Sequence, residues 1–300
     1  MATVYTQIDS NKNRTWLLLG FFLIFIIGFA WAISYAFDIA WLLPVAVVFA
    51  SVQALTSYWW SDKITLAISG ARHIEKTDAP ELYRIVENLS IAAGLPMPKV
   101  YIINDPAPNA FATGRDPKNA AVAVTTGLLE KLEKLELEGV IAHELSHIGN
   151  YDIRLMTVVV VLVGIVALVS DWILRYTFWG GRGRDRGNNQ AQAIMLLVGI
   201  LLALLAPLVA TLIKLALSRK REYLADADGV LLTRHAEGLA RALEKIDADQ
   251  TPLKKANKAT AHLYIANPLK DHKKDSASFF AKMFNTHPPV ADRIKKLREM

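Results

Sequence analysis

Four apolar runs, at 16–37, 39–58, 155–174 and 193–217, constrain this chain more than any other feature of it. Each is close to the roughly 20 residues that cross a hydrocarbon core about 30 Å thick as a helix. Four membrane spans are therefore expected. The first run does not read as a cleaved signal peptide, because it is long, lacks a small-residue cleavage site and continues through Asp38 into the second run. All seven tryptophans lie in or beside the runs, where amphipathic rings favour the interface, and 53% hydrophobic residues suits partial immersion in lipid.

Basic residues orient the spans. Lys12 and Arg14 precede the first run, none lies between the first and second, and Lys63, Arg72 and Lys76 follow, so the N-terminus and the chain after residue 60 are expected in the cytoplasm. Arg175, Arg182, Arg184 and Arg186 in the third connection oppose this orientation, while Arg154, Arg219, Lys220 and Arg221 on the other side of the same hairpin support it. The segment "WGGRGRDRGNN" reads as a solvated loop without the aromatics of a nucleic-acid surface, and the net charge of +6 suits anionic head groups. The absence of cysteine excludes disulfides, thiol catalysis and Cys-ligated metal, so any metal site must use His and carboxylate.

These boundaries divide the chain into an N-terminal pair of spans (1–60), a first soluble part (61–154), a membrane hairpin (155–217) and a second soluble part (218–300). In the first soluble part, "APELYRIVENLSIAAG" has helical period, with Pro80 suited to the first turn and Gly94 to the stop. "PKVYIIND" and "NAAVAVTT" are strand-like, with "PNAFATG" between them bounded by proline and glycine, and predict a small antiparallel sheet. The stretch "TGLLEKLEKLELEGVIAHELSHIGN" reads as helix ending near Gly149 and Asn150. Further helices are expected over "SRKREYLADADGVLL", "AEGLARALEKIDA" and "PPVADRIKKLREM".

The sequence "HELSH" puts His143 and His147 one helical turn apart on one face, with Glu144 beside the first. Two imidazoles for zinc and a carboxylate placed to take a proton from water form the H-E-x-x-H pattern. Catalytic zinc needs a third protein ligand, and the local extension to a third histidine is absent, because Asn150 and Ile153 occupy its glycine and histidine positions. An antiparallel hairpin returns the chain beside the place it left, which brings Glu222 to the motif as third ligand. Asp226, one turn further on, is placed to accept from a ligand imidazole. Asp152 also carries an oxygen close to the motif and competes with Glu222, but is better read as a supporting or capping residue. The other four histidines, His73, His235, His262 and His272, read as surface or loop residues.

Taken together, "HELSH", the four-run layout, "NAFATG", "REYLADADG" and "THPPVADRI" resemble the HtpX family of bacterial integral-membrane zinc metallopeptidases, relatives of the CAAX prenyl protease. The resemblance runs over nearly the whole chain. It implies a mainly α membrane protein with a cytoplasmic α+β zincin-like, gluzincin-type protease domain, and one zinc per chain on His143, His147 and Glu222. It implies catalysis by Glu144 and a role in degrading damaged or misfolded membrane proteins at the cell membrane. It also implies that Asn109, Ala110, Phe111 and Ala112 border the substrate cleft, and that His287 and Arg293 reach back to the site, where either would stabilise an oxyanion.

Two other readings compete. An intramembrane metalloprotease would carry the motif within an apolar span, whereas "EKLEKLELEG" precedes it here. A non-enzymatic membrane scaffold with structural zinc would close all four metal positions with protein ligands and would not need Glu144.

Overall fold

The computed structural model describes residues 4–38, 40–162, 219–254, 260, 263–265 and 288–300. The third apolar run is described only to residue 162, and the fourth, with His262, His272 and His287, lies outside the described residues.

Helix α1 (Val4–Phe37) has 34 residues and is therefore about 51 Å long, so the first apolar run occupies only its later part. Its polar first turns, with Asn11 and Thr15 buried, project past the apolar stretch into the rest of the protein. Helix α2 (Leu42–Trp59) returns antiparallel along it, and Trp16 stacks on Tyr58 at 5.2 Å. The chain breaks at Trp60 into α3 (Ser61–Ser69), which Gly70 ends at φ 67, a left-handed cap that glycine adopts without strain. Among the described residues no single helix is long and apolar enough to cross a membrane. The pair Leu43–Trp59 and Ser61–Ser69, bent by 74°, meets those criteria together.

Strand β1 (Ala71–His73) leads to α4 (Pro80–Ala93), which starts at Pro80 and stops at Gly94, φ 65, as its sequence signals require. Strands β2 (Lys99–Ile103), β3 (Ala110–Gly114) and β4 (Ala120–Thr125) follow, and the sheet order is β1-β2-β4-β3. The sheet is mixed, not antiparallel as expected: β1–β2 and β3–β4 are antiparallel, but β2–β4 is parallel. The cause is topological. After β2 the chain passes to the outer edge as β3 and turns back, so β4 inserts between them in the direction of β2. Val122, Val124, Ala110 and Ala112 face one core with α6, while Ala121, Ala123 and Phe111 face a second core with α1 and the helix after residue 151.

The long helix expected over "TGLLEKLEKLELEG" is two helices, α5 (Thr126–Lys131) and α6 (Lys134–Gly149). Leu132 and Glu133 are extended, and Glu133 and Glu136 cap α6 reciprocally, satisfying backbone donors that a continuous helix would not expose. After Asn150, Tyr151 takes φ 59 and a new helix, α7, occupies residues 152–162. Helices α8 (Arg219–Thr233), α9 (Ala236–Ala248) and α10 (Val290–Arg298) complete the described residues, with α8 and α9 packed on α6.

Candidate active site

Helix α6 buries His143, Glu144 and His147 almost completely. Helix α8 crosses it closely because Gly229 has no side chain: a Cβ there would stand 3.2 Å from the His143 backbone nitrogen. That crossing brings Glu222 to the two imidazoles. The facing Nε2 atoms of His143 and His147 are 3.2 Å apart, and Glu222 oxygens lie 3.9 and 3.6 Å from them respectively. Three ligand atoms around a tetrahedral ion at about 2.1 Å would be separated by about 3.4 Å, so the donor set fits a metal such as zinc without rearrangement.

The backs of both rings are held by carboxylates. Asp226 Oδ1 is 3.0 Å from His143 Nδ1, and Asp152 Oδ2 is 3.0 Å from His147 Nδ1. With each Nδ1–H donating backwards, two Nε2 lone pairs and a carboxylate converge on one point, an arrangement that attracts a cation. Burial lowers the His147 pKa, but Asp152 and Glu222 outweigh it and raise the pKa to about 9. For His143, burial dominates and the pKa falls. Glu144, pushed up to about 7 chiefly by burial, accepts from the Ala112 N–H of β3.

Asp152 reaches His147 through the left-handed turn at Tyr151, which redirects the chain before α7 begins. For a non-glycine residue that conformation costs about 1–2 kcal/mol. Lys12 at 4.6 Å and the Arg154 guanidinium at 5.0 Å from the ring centroid hold the aromatic side chain. The sequence carries no signal for the next partner, Asn11 of α1. Its amide donates to Asp152 Oδ1 at 2.7 Å and to the Asn150 carbonyl at 2.9 Å, and Arg221 donates to Asn11 Oδ1 at 3.1 Å. Asp228 similarly joins the helices by accepting from Ser146 and Asn150.

Arg293, expected near the cleft, is fully buried behind His143. Its Nε and Nη2 bind the two oxygens of Asp226 at 2.9 and 2.6 Å, and Nη1 donates to the Ile265 carbonyl at 3.2 Å. Burial would raise the Asp226 pKa, but Arg293 and His143 prevail and lower it to about 2. His287 lies outside the described residues.

Of the four residues expected along the cleft, Ala110 and Ala112 face α6, whereas Phe111 faces the opposite core and meets Tyr264 edge-on at 5.1 Å. Asn109 precedes β3, and its side chain accepts from Ala110 N at 3.1 Å. The outer edge of β3 is partly engaged, because Ile265 N donates to the Ala110 carbonyl at 3.0 Å.

The sequence profile of peptidase family M48 matches residues 76–300, well over half of the chain. The chain belongs to this family. It is 47% identical over 300 residues to a protein named "Protease HtpX homolog" from Dictyoglomus thermophilum, covering 99% of this chain and 95% of that one. A protein of the same name from Tropheryma whipplei is 46% identical over 297 residues, covering 99% and 98%. The crystal structure of S. mikatae Ste24p shares the fold, with TM-score 0.51 and 20% identity, covering 98% of this chain and 67% of that one. In this M48 peptidase the matched segment contains His143, Glu144, His147 and Glu222 but not Asn11, so α1 contributes to the site from outside it.

Proposed function

We propose that this peptidase is a membrane-embedded, zinc-dependent endopeptidase that cleaves damaged or misfolded membrane proteins, with its N-terminus and active site facing the cytoplasm. The observation that carries the proposal is the convergence of His143, His147 and Glu222 with the Glu144 carboxylate alongside. When bound by these three residues, zinc supplies Lewis acidity to the scissile carbonyl and makes water acidic enough to attack at neutral pH. Glu144 takes the proton of the attacking water and passes it to the leaving amine. A carboxylate held beside the metal position is the type of group both transfers need.

An extended substrate pairs with the outer edge of β3 beyond Ala110, where main-chain hydrogen bonds hold sequence-diverse peptides. Asp226 and Asp152 fix the ligand imidazoles with Nε2 forward, and Arg293 acts through Asp226 and not on the substrate. The apolar later part of α1 and the α2–α3 pair anchor the domain to the bilayer, with the four apolar runs as spans. Because the polar start of α1 reaches Asp152, the site sits within a few helical turns of the bilayer, where unfolded membrane proteins emerge.

Metal analysis and casein cleavage by detergent-purified protein test this reading. One zinc per chain is expected, with activity abolished by a chelator and restored by zinc. Cleavage unaffected by metal removal would overturn it.

A further inference from the structure

A cavity of about 560 Å3 lies on the sheet face away from α6, between the α2–α3 break and strands β2 and β4. Four cations line it: Lys63, Lys99, Arg115 and Lys118, against one lining carboxylate, Asp62. The Arg115 guanidinium lies 4.4 Å from the Trp59 ring centroid and pairs with Asp116 at 3.4 Å. Lys63, Lys99 and Lys118 are exposed and have no ion-pair partner among the described residues. Like charges converge on a concave surface only at an electrostatic cost, which an anion in the cavity offsets. The uncapped N-terminus of α3 adds its own preference for negative charge.

The rim indicates which anion. Trp59 and Trp60, 47% and 49% exposed, stand side by side where apolar α2 gives way to α3, the depth at which indole rings settle between acyl chains and head groups. We propose that this cavity binds the phosphodiester headgroup of an anionic phospholipid, such as phosphatidylglycerol, in the leaflet facing the peptidase domain. The proposal rests on the membrane reading of α2 given above. The lysines and Arg115 clasp the phosphate, the tryptophans flank the glycerol, and the bound lipid fixes the height of the domain above the bilayer. Since the cavity and the metal-ligand residues lie on opposite faces of one sheet, the anchor leaves the β3 edge open to substrate.

Native mass spectrometry of the full-length protein, in micelles doped with phosphatidylglycerol or phosphatidylcholine, tests the proposal. Wild type should retain one phosphatidylglycerol in preference to phosphatidylcholine, and millimolar inorganic phosphate should not strip it. The double variant Lys99→Gln/Lys118→Gln, at exposed positions away from the metal site, should cleave casein normally and bind phosphatidylglycerol about twenty-five-fold more weakly, at about fivefold per cation. Equal retention of the two lipids, or unchanged affinity in the variant, would overturn the proposal. Complete displacement of lipid by inorganic phosphate would make this a free-anion site instead. Release of wild type from membranes by alkaline carbonate would instead refute the membrane reading, whatever the cavity binds.

Discussion

Asn11 donates its side-chain amide to Oδ1 of Asp152 at 2.7 Å, while the other oxygen of that carboxylate sits 3.0 Å from His147. An asparagine near the start of α1 thus acts on a proposed metal ligand through a single intervening carboxylate.

The Asn11→Ala variant should lose about 1–3 kcal/mol of stability, since a buried carboxylate and the Arg221 guanidinium both lose a partner. Zinc affinity should fall by up to about tenfold, less than on removal of Asp152 itself. Asn11→Asp should be worse, because it sets a second carboxylate against Asp152. Thermal unfolding and zinc titration would check both; wild-type zinc affinity in Asn11→Asp would disprove the linkage.

For Glu144→Gln, zinc content should remain near one per chain while casein cleavage falls by about 10²–10⁴. The amide keeps the shape of the carboxylate and can still accept from Ala112, but it cannot take a proton. Measurable cleavage near the wild-type rate would remove Glu144 from the mechanism.

Replacing Glu222 and Asp152 should give different outcomes. Glu222→Gln should be zinc-poor and inactive even with added metal, as expected of a ligand. Asp152→Asn should bind zinc about 10–100-fold more weakly and regain turnover at high zinc. The reverse pattern would exchange their roles.

Arg293→Met should leave the buried Asp226 carboxylate with only the His143 Nδ1–H to compensate it, destabilising the protein by about 3–5 kcal/mol. In the double variant with Asp226→Asn much of that loss should be recovered, because no charge remains to compensate. Denaturant unfolding of the four proteins in the cycle measures the coupling.

Zinc affinity should rise with pH. Since His147 alone titrates at about 9, binding near neutrality must displace its proton, and affinity should gain about tenfold per pH unit and level off above about 9. Stability of the metal-free protein should move the other way. The raised pKa contributes stability that is full below the unfolded value near 6.5 and is lost as pH climbs through about 9. Calorimetry with and without a chelator at several pH values separates the two trends.

How far each part could be read from sequence depends on how local its cause is. His143, Glu144 and His147 are legible because helical geometry alone puts them on one face. Glu222 was reachable because two apolar runs, read as a hairpin, would return the chain beside its starting point. The parallel pairing of β2 with β4 was not, since it depends on β3 taking the outer edge and no residue within the strands records that order. The break at Leu132 did leave a trace, the Glu133 and Glu136 spacing, hidden within a run that otherwise keeps helical period. Arg293 was expected to reach back to the site and does, 3.7 Å from Glu222, where it pairs with the buried Asp226. Asn11 shows nothing locally, as one polar residue among several at the start of a helix whose partners lie 139 and more positions away.

The path from Asn11 through Asp152 to His147, and from Arg293 through Asp226 to His143, draws the metal-ligand residues into a structure supported from both ends of the chain. On the ribosome this sets an order of events. The motif helix emerges long before α10, and until Arg293 arrives Asp226 has no guanidinium to hold it against His143. A nascent chain, or a fragment clipped ahead of α10, therefore carries His143, His147 and Glu222 without the guanidinium that holds Asp226 behind His143. Because α10 follows α6 by about 140 residues, the peptidase gains this support for His143 only late in translation, well after the motif helix has been made.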